Sequence, residues 1–277
     1  MYNILTLNKI AKCGTSKFDT AKYTVGDAVE NPTGILVRSA SMHDMELPES
    51  LLAIARAGAG VNNIPLDKCT ERGICVFNTP GANANSVKEL VIGSMILAAR
   101  NVQAGIDYVK SIADDPAIAK TVEKGKKNYV GTEIAGKKLA VIGLGAIGYR
   151  VANAAVSLGM EVYGYDPFLP VASAWNISHH VVHCNKMEEA LENADYVTVH
   201  VPAIESTRNT LNKDTLALLN DGAIVLNFAR DTLVNNDDIK AYFDNNVATS
   251  TTVSSFNSAF TNYISGASDA IPSYMPI

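Results

Sequence analysis

Three glycines, Gly143, Gly145 and Gly148, follow the apolar run Lys138–Ile142, and Asp166 closes the next such run, Glu161–Tyr165. The spacing predicts a strand, a tight turn and a helix able to hold a pyrophosphate. Gly143 permits the turn, Gly145 removes a side chain that would block the phosphates, and Gly148 lets the helix lie close on the strand. Asp166 is placed to accept hydrogen bonds from the adenosine ribose hydroxyls and would repel a 2′-phosphate, so the expected cofactor is NAD rather than NADP. Two arginines stand at strand ends. Arg230 lies three residues beyond Asn227, and Arg38 closes Ile35-Leu36-Val37. A guanidinium beside a nicotinamide can clamp a carboxylate in two contacts and polarise the adjacent carbonyl for hydride transfer. Gly58-Ala59-Gly60 is a glycine turn whose N–H groups could cradle a carboxylate.

The elements that must position these residues alternate between strand and helix. Strands are expected at Tyr2–Leu7, Gly34–Arg38 and Cys75–Asn78, with Leu51–Arg56 a short strand or a helix–strand junction, giving a small parallel sheet over residues 1–83. Ser86 reads as the cap of a long apolar helix, Val87–Ile106, and a more polar helix follows over Asp115–Lys127. Beyond them strands are expected at Lys138–Ile142, Glu161–Tyr165, Asp195–His200 and Gly222–Asn227, with Ile177–Cys184 as a short edge strand. Helices Ala146–Leu158, Lys186–Asn193 and Asp214–Leu219 lie between, and Asp237-Asp238 opens one more. The fold class is therefore α/β in two domains. A Rossmann-type doubly wound parallel sheet is joined to a smaller flavodoxin-like parallel-sheet domain. The boundaries are 1–83, 84–247 with the hinge helices, and an atypical tail, 248–277. That tail is rich in Ser and Thr with one charged residue, Asp269, and reads as poorly ordered apart from β-propensity over Val247–Val253.

Bulk properties narrow the function classes. The chain has 277 residues, 47% hydrophobic and 18% charged, and a formal net charge of −5. Those values suit a globular protein and argue against a nucleic-acid partner. No apolar run reaches membrane-spanning length, and the first residues do not start a secretion signal. Cys13, Cys69, Cys75 and Cys184 show no paired spacing, so reduced thiols and a cytoplasmic location are expected. His179, His180, His183 and Cys184 suggest a metal site by type alone. On an edge strand, alternation would turn His180 away from His179 and His183, so no metal is expected.

Several strings occur in one order: Val37-Arg38-Ser39-Ala40, Ala57-Gly58-Ala59-Gly60-Val61-Asn62-Asn63, Asn78-Thr79-Pro80-Gly81-Ala82-Asn83, and the glycine fingerprint with Tyr165-Asp166-Pro167. His200-Val201-Pro202 and Asn227-Phe228-Ala229-Arg230 complete the series. Together they resemble the D-2-hydroxyacid dehydrogenase family, over residues 1 to about 247. The resemblance implies NAD-linked oxidation of a small phosphorylated 2-hydroxy acid, 3-phosphoglycerate, at the head of serine biosynthesis, by a homodimer joined through the long helices. It implies that residues 1–83 bind substrate, with Arg38 meeting its phosphate or carboxylate. Ala59 and Gly60 would offer N–H groups, and Asn83 would line the substrate side. Ala146 and Ile147 would touch the pyrophosphate through the backbone. Val201, Phe228 and Ala229 would pack by the nicotinamide, and Arg230 would be the catalytic arginine. The family pattern also places an aspartate on the next strand, then a Glu and a His that takes the hydroxyl proton. Here no histidine follows His200 and no glutamate follows Glu205. The C-terminal part of the pattern is expected to be lost or replaced, as a frame change in the coding DNA would do.

Overall fold

The computed structural model describes residues 1–169 and 171–246. The expected strand Val247–Val253 and the tail after it lie outside the described residues. The chain divides into two compact units, Met1–Asn83 and a second that begins at Ala84.

In the first unit the elements run β1 (Tyr2–Leu7), α1 (Lys12–Thr15), β2 (Tyr23–Gly26), β3 (Gly34–Val37), β4 (Ala53–Arg56), α2 (Leu66–Glu71) and β5 (Cys75–Asn78). All strands are parallel, in the order β2-β1-β3-β4-β5, the flavodoxin-like arrangement. The core is built from Ile35, Val37, Ile54, Met42 and Ile64, all essentially sealed from solvent. Strand β2 was not expected. Its four residues, Tyr-Thr-Val-Gly, form a half-exposed edge too short to show a period.

The second unit opens with α3 (Ala84–Ala99), α4 (Val102–Ser111) and α5 (Ile118–Gly125). It continues with β6 (Lys138–Ile142), α6 (Gly148–Ser157), β7 (Glu161–Tyr165), α7 (Val171–Ala174), β8 (Val182–His183), α8 (Met187–Leu191), β9 (Tyr196–Val199), α9 (Lys213–Leu216), β10 (Ile224–Asn227) and α10 (Asn236–Asn246). The order β10-β9-β6-β7-β8, all parallel, is the doubly wound dinucleotide arrangement, and its strand order reverses between β6 and β9. One face of this sheet packs on α3 and α6 through Val91, Met95, Val151 and Ala155. The other packs around Leu191, Leu216 and Leu233.

Two expected helices change. The single helix Val87–Ile106 is two, broken at Asn101, whose φ of 50° is left-handed. The break is set by packing: Thr132 N–H donates to the Ala99 carbonyl at 2.8 Å, and a Cβ on Gly131 would lie 2.1 Å from that oxygen. Ser86 is not the cap, because α3 already begins at Ala84. The polar helix Asp115–Lys127 is shorter, Ile118–Gly125, and runs into a 3-10 turn, Lys126–Tyr129.

The expected edge strand Ile177–Cys184 is only Val182–His183. His179 and His180 lie in the preceding turn with their ring centroids 3.9 Å apart, so the strand alternation that was to separate them does not apply. Among the described residues, no group of three His, Cys, Asp or Glu side chains could hold a metal ion. No helix among them is long and apolar enough to cross a membrane. All four cysteines are free, and burial pushes the Cys69 and Cys184 thiols up.

Candidate functional site

The turn between β6 and α6 is shaped by missing side chains. Gly143 has φ +93°, and a Cβ there would lie 2.8 Å from the His200 carbonyl carbon, at the end of β9. A Cβ on Gly148 would lie 1.8 Å from the Gly143 carbonyl oxygen. Both contacts are with backbone, so neither position admits a side chain without moving the turn. Gly145 differs, because a Cβ there would meet nothing within 4 Å. Its lack of a side chain leaves open space over the turn rather than relieving a clash within the protein.

The backbone donors of this turn divide in two. Gly143 N–H donates to the Tyr165 carbonyl, and Leu144 N–H to Asp166 Oδ2 at 2.9 Å. The N–H groups of Gly145, Ala146 and Ile147 donate to nothing among the described residues. These three donors immediately precede the ten-residue α6, whose positive end favours an anion, so the turn has the chemistry to receive one. Asp166 sits just past β7, and its second oxygen accepts from Phe168 N–H at 3.0 Å. Its carboxylate therefore ties the glycine turn to the β7 end, a role that sequence reasoning missed. Each oxygen keeps a lone pair for a further donor.

Around the ends of β9 and β10 stand the other residues expected in this unit. Val201 and Ala229 pack on one core cluster and Phe228 on the other. Arg230 is exposed, with its guanidinium donating to the Ala229 carbonyl at 2.8 Å. Asn227 shapes this loop. Its Nδ2 donates to the Arg230 carbonyl at 2.7 Å, and its Oδ1 accepts from Ala229 N–H at 3.1 Å.

The first unit gathers its candidates at the corresponding strand ends. Arg38 follows β3, Arg56 ends β4, and Arg56 Nε donates to the Arg38 carbonyl at 3.1 Å. The Arg56 guanidinium lies under Gly58 (φ +152°), where a Cβ would meet it at 1.6 Å. The Ala59 and Gly60 N–H groups donate to nothing among the described residues, while the Ala59 carbonyl accepts from Asn78 Nδ2 at 2.7 Å. Asn8, itself left-handed, accepts from Ser39 and Ala40 N–H at 2.9 and 2.7 Å, which secures the loop after Arg38. Asn83 is exposed in a turn at the end of this unit. Arg56, Asn8, Asn78 and Asn227 were not singled out from sequence. The available signal was a short amide or a cation within a residue of a strand end.

Among the described residues, His200 is the base with a large pKa shift. Its Nε2 and Thr198 Oγ1 lie 3.0 Å apart, whereas Nδ1 is buried with no hydrogen-bond partner among the described residues. Burial lowers its pKa from 6.5 to about 4. The unfolded chain therefore binds one more proton than the folded one between these values. Stability is full above pH 6.5 and falls as the pH drops through that window, by about 3 kcal/mol. Urea midpoints of the wild type and His200→Asn across pH 4–7 should converge toward acid pH. A parallel pair of curves would show that this imidazole is not the source.

Residues 92–256 match the profile of the D-isomer specific 2-hydroxyacid dehydrogenase NAD-binding domain. D-3-phosphoglycerate dehydrogenase of Methanocaldococcus jannaschii is 38% identical over 200 residues, which cover 72% of this chain and 35% of that one. Hydroxypyruvate reductase of Thermotoga maritima is 37% identical over 199 residues, 71% of this chain and 60% of that one. D-3-phosphoglycerate dehydrogenase of Bacillus subtilis is 33% identical over 243 residues, 83% and 44% of the two. The chain thus spans between about a third and three-fifths of the length of these relatives. In fold it resembles NAD+-bound 3-phosphoglycerate dehydrogenase of Entamoeba histolytica, with a TM-score of 0.70 at 24% identity over 94% of this chain and 84% of that one. D-mandelate dehydrogenase of Rhodotorula graminis gives 0.69 at 22% identity, over 88% and 78%. With the glycine turn, the acid at the end of β7 and this sequence match, the chain belongs to the D-isomer specific 2-hydroxyacid dehydrogenase family and carries its NAD-binding domain.

Proposed function

We propose that this chain binds NAD at the Gly143–Gly148 turn and acts on 3-phosphoglycerate, oxidising it to the 2-oxo acid. The observation that carries the reading is the row of three N–H groups at Gly145, Ala146 and Ile147 without a partner among the described residues, with Asp166 beside it. The residues fit the dinucleotide: the open space at Gly145 admits a pyrophosphate, and the carboxylate suits ribose hydroxyls. NAD would supply the acceptor for the hydride leaving C2, and the C2 hydroxyl proton would pass to water. Arg230 holds the substrate carboxylate by its planar fork, Arg38 pairs with the phosphate, and the Ala59 and Gly60 N–H groups add donors. Val201, Phe228 and Ala229 pack by the nicotinamide. Asn83 lines the substrate side.

A second reading rests on one sequence fact. No histidine follows His200 and no glutamate follows Glu205, so the family's imidazole base and its carboxylate partner are not among these residues. Proton removal without such a base is about 10²–10⁴-fold slower. On that reading the chain binds NAD without turnover. Hydroxypyruvate or glyoxylate as substrate is the narrower alternative.

NADH fluorescence separates these cases. The folded chain should bind NADH, and Gly145→Ala should weaken binding at least tenfold with an unchanged melting temperature, because the new methyl occupies ligand space only. A folded wild type without NADH affinity would overturn the reading. Binding with no measurable oxidation of 3-phosphoglycerate would favour the second one. Arg38→Ala should lose 3-phosphoglycerate while retaining hydroxypyruvate, and equal loss of both would remove the phosphate assignment.

The chain is further proposed to pair with a second copy through the helical segments expected at Val87–Ile106 and Asp115–Lys127, which are α3, α4 and α5. Of these, α4 and α5 bury no residue within the chain, and Ile106 and Val109 of α4 are 43% and 47% exposed. Sedimentation should give a dimer that Val109→Glu dissociates. A monomeric wild type would overturn it.

A further inference from the structure

Thr198 and His200 lie on the sheet face that Tyr196 shares with α3 and α6, as the hydrogen bond between their side chains requires. His200 N–H donates to the Ile142 carbonyl at 2.7 Å, and the His200 carbonyl carbon is what closes over Gly143. His200 therefore stands at the point where the strand order reverses, between the ends of β6 and β9. In open α/β sheets the ligand crevice lies at that point, outside the carboxyl ends of the strands. A buried ring nitrogen without a partner is costly and calls for one. Nε2 is engaged with Thr198, so Nδ1 is the atom left to meet a bound group. Burial keeps the imidazole uncharged at neutral pH, so it hydrogen-bonds there as a neutral group carrying a single proton.

We propose that His200 is a positioning residue whose Nδ1 hydrogen-bonds the carboxamide of the nicotinamide ring and so fixes the ring at the β6/β9 reversal. This rests on the reading of the glycine turn as the NAD site. The phosphates occupy the N–H cradle at Gly145–Ile147, and the ring end is held separately by His200. The two contacts are energetically divisible for that reason. Loss of the imidazole should weaken ligands that carry the ring and spare those that do not.

The test compares NADH with ADP-ribose, which keeps both riboses and the pyrophosphate but lacks the nicotinamide. Using the full chain, His200→Leu should weaken NADH about tenfold and ADP-ribose less than twofold. His200→Asn offers a polar atom near the Nδ1 position and should restore NADH affinity to within threefold of wild type. If His200→Leu does not fold, the wild type labelled with 15N-histidine supplies the same contrast. The Nδ1 resonance of His200 should move on adding NADH beyond any change caused by ADP-ribose. Parallel loss of both ligands, unchanged NADH affinity, or a resonance that moves equally with both would overturn the proposal. A wild type that binds both ligands while His200 is indifferent refutes this inference alone. A folded wild type that binds neither refutes the NAD site itself.

Discussion

The second unit depends on an approach of backbone to backbone that side chains would prevent. Gly148 brings the start of α6 against the Gly143 carbonyl, and Gly143 in turn lies against the His200 carbonyl at the end of β9. The next N–H groups meet no acceptor among the described residues. The donors at Gly145, Ala146 and Ile147 are therefore a consequence of the turn's geometry and not of any charged side chain. An anion there gains three hydrogen bonds and the helix-end field without paying to reorganise the site.

Short polar side chains then hold the loops that carry the candidate residues. Asp166 secures the glycine turn to the end of β7, and Asn227 shapes the Phe228–Arg230 loop. In the first unit Asn8 holds the loop after Arg38, and Asn78 anchors the Ala59 turn. Each sits within a residue of a strand end, where the ladder stops and backbone groups need other partners. The half-buried Arg38 and the exposed Arg230 contribute charge, and the amides decide where that charge is presented.

Much of this was legible from particular residues. The apolar runs Lys138–Ile142 and Glu161–Tyr165 are strands with the expected bounds, because both are flanked by turn residues. The strands at Tyr2–Leu7 and Cys75–Asn78 were equally plain. The break at Asn101 was not, because apolar residues continue across it, and its cause is Gly131 and Thr132 returning to cap α3. The edge strands Tyr23–Gly26 and Val182–His183 are too short to carry a period, and their pairing with longer neighbours defines them. The close, tilted His179–His180 ring pair escaped for a related reason: an expected pleat was a turn.

The sequence by itself determined the two parallel sheets, the glycine turn and the acid at Asp166, since these depend on local conformation and on apolar spacing. It also established that no histidine follows His200. Tertiary structure alone decided which polar atoms are satisfied. Asp166 accepts from two backbone N–H groups, while a buried nitrogen of His200 has no partner among the described residues. Hydrogen-bond satisfaction depends on which segments meet in space, and residues 57 or more positions apart, such as Gly143 and His200, meet only once β6 and β9 have paired.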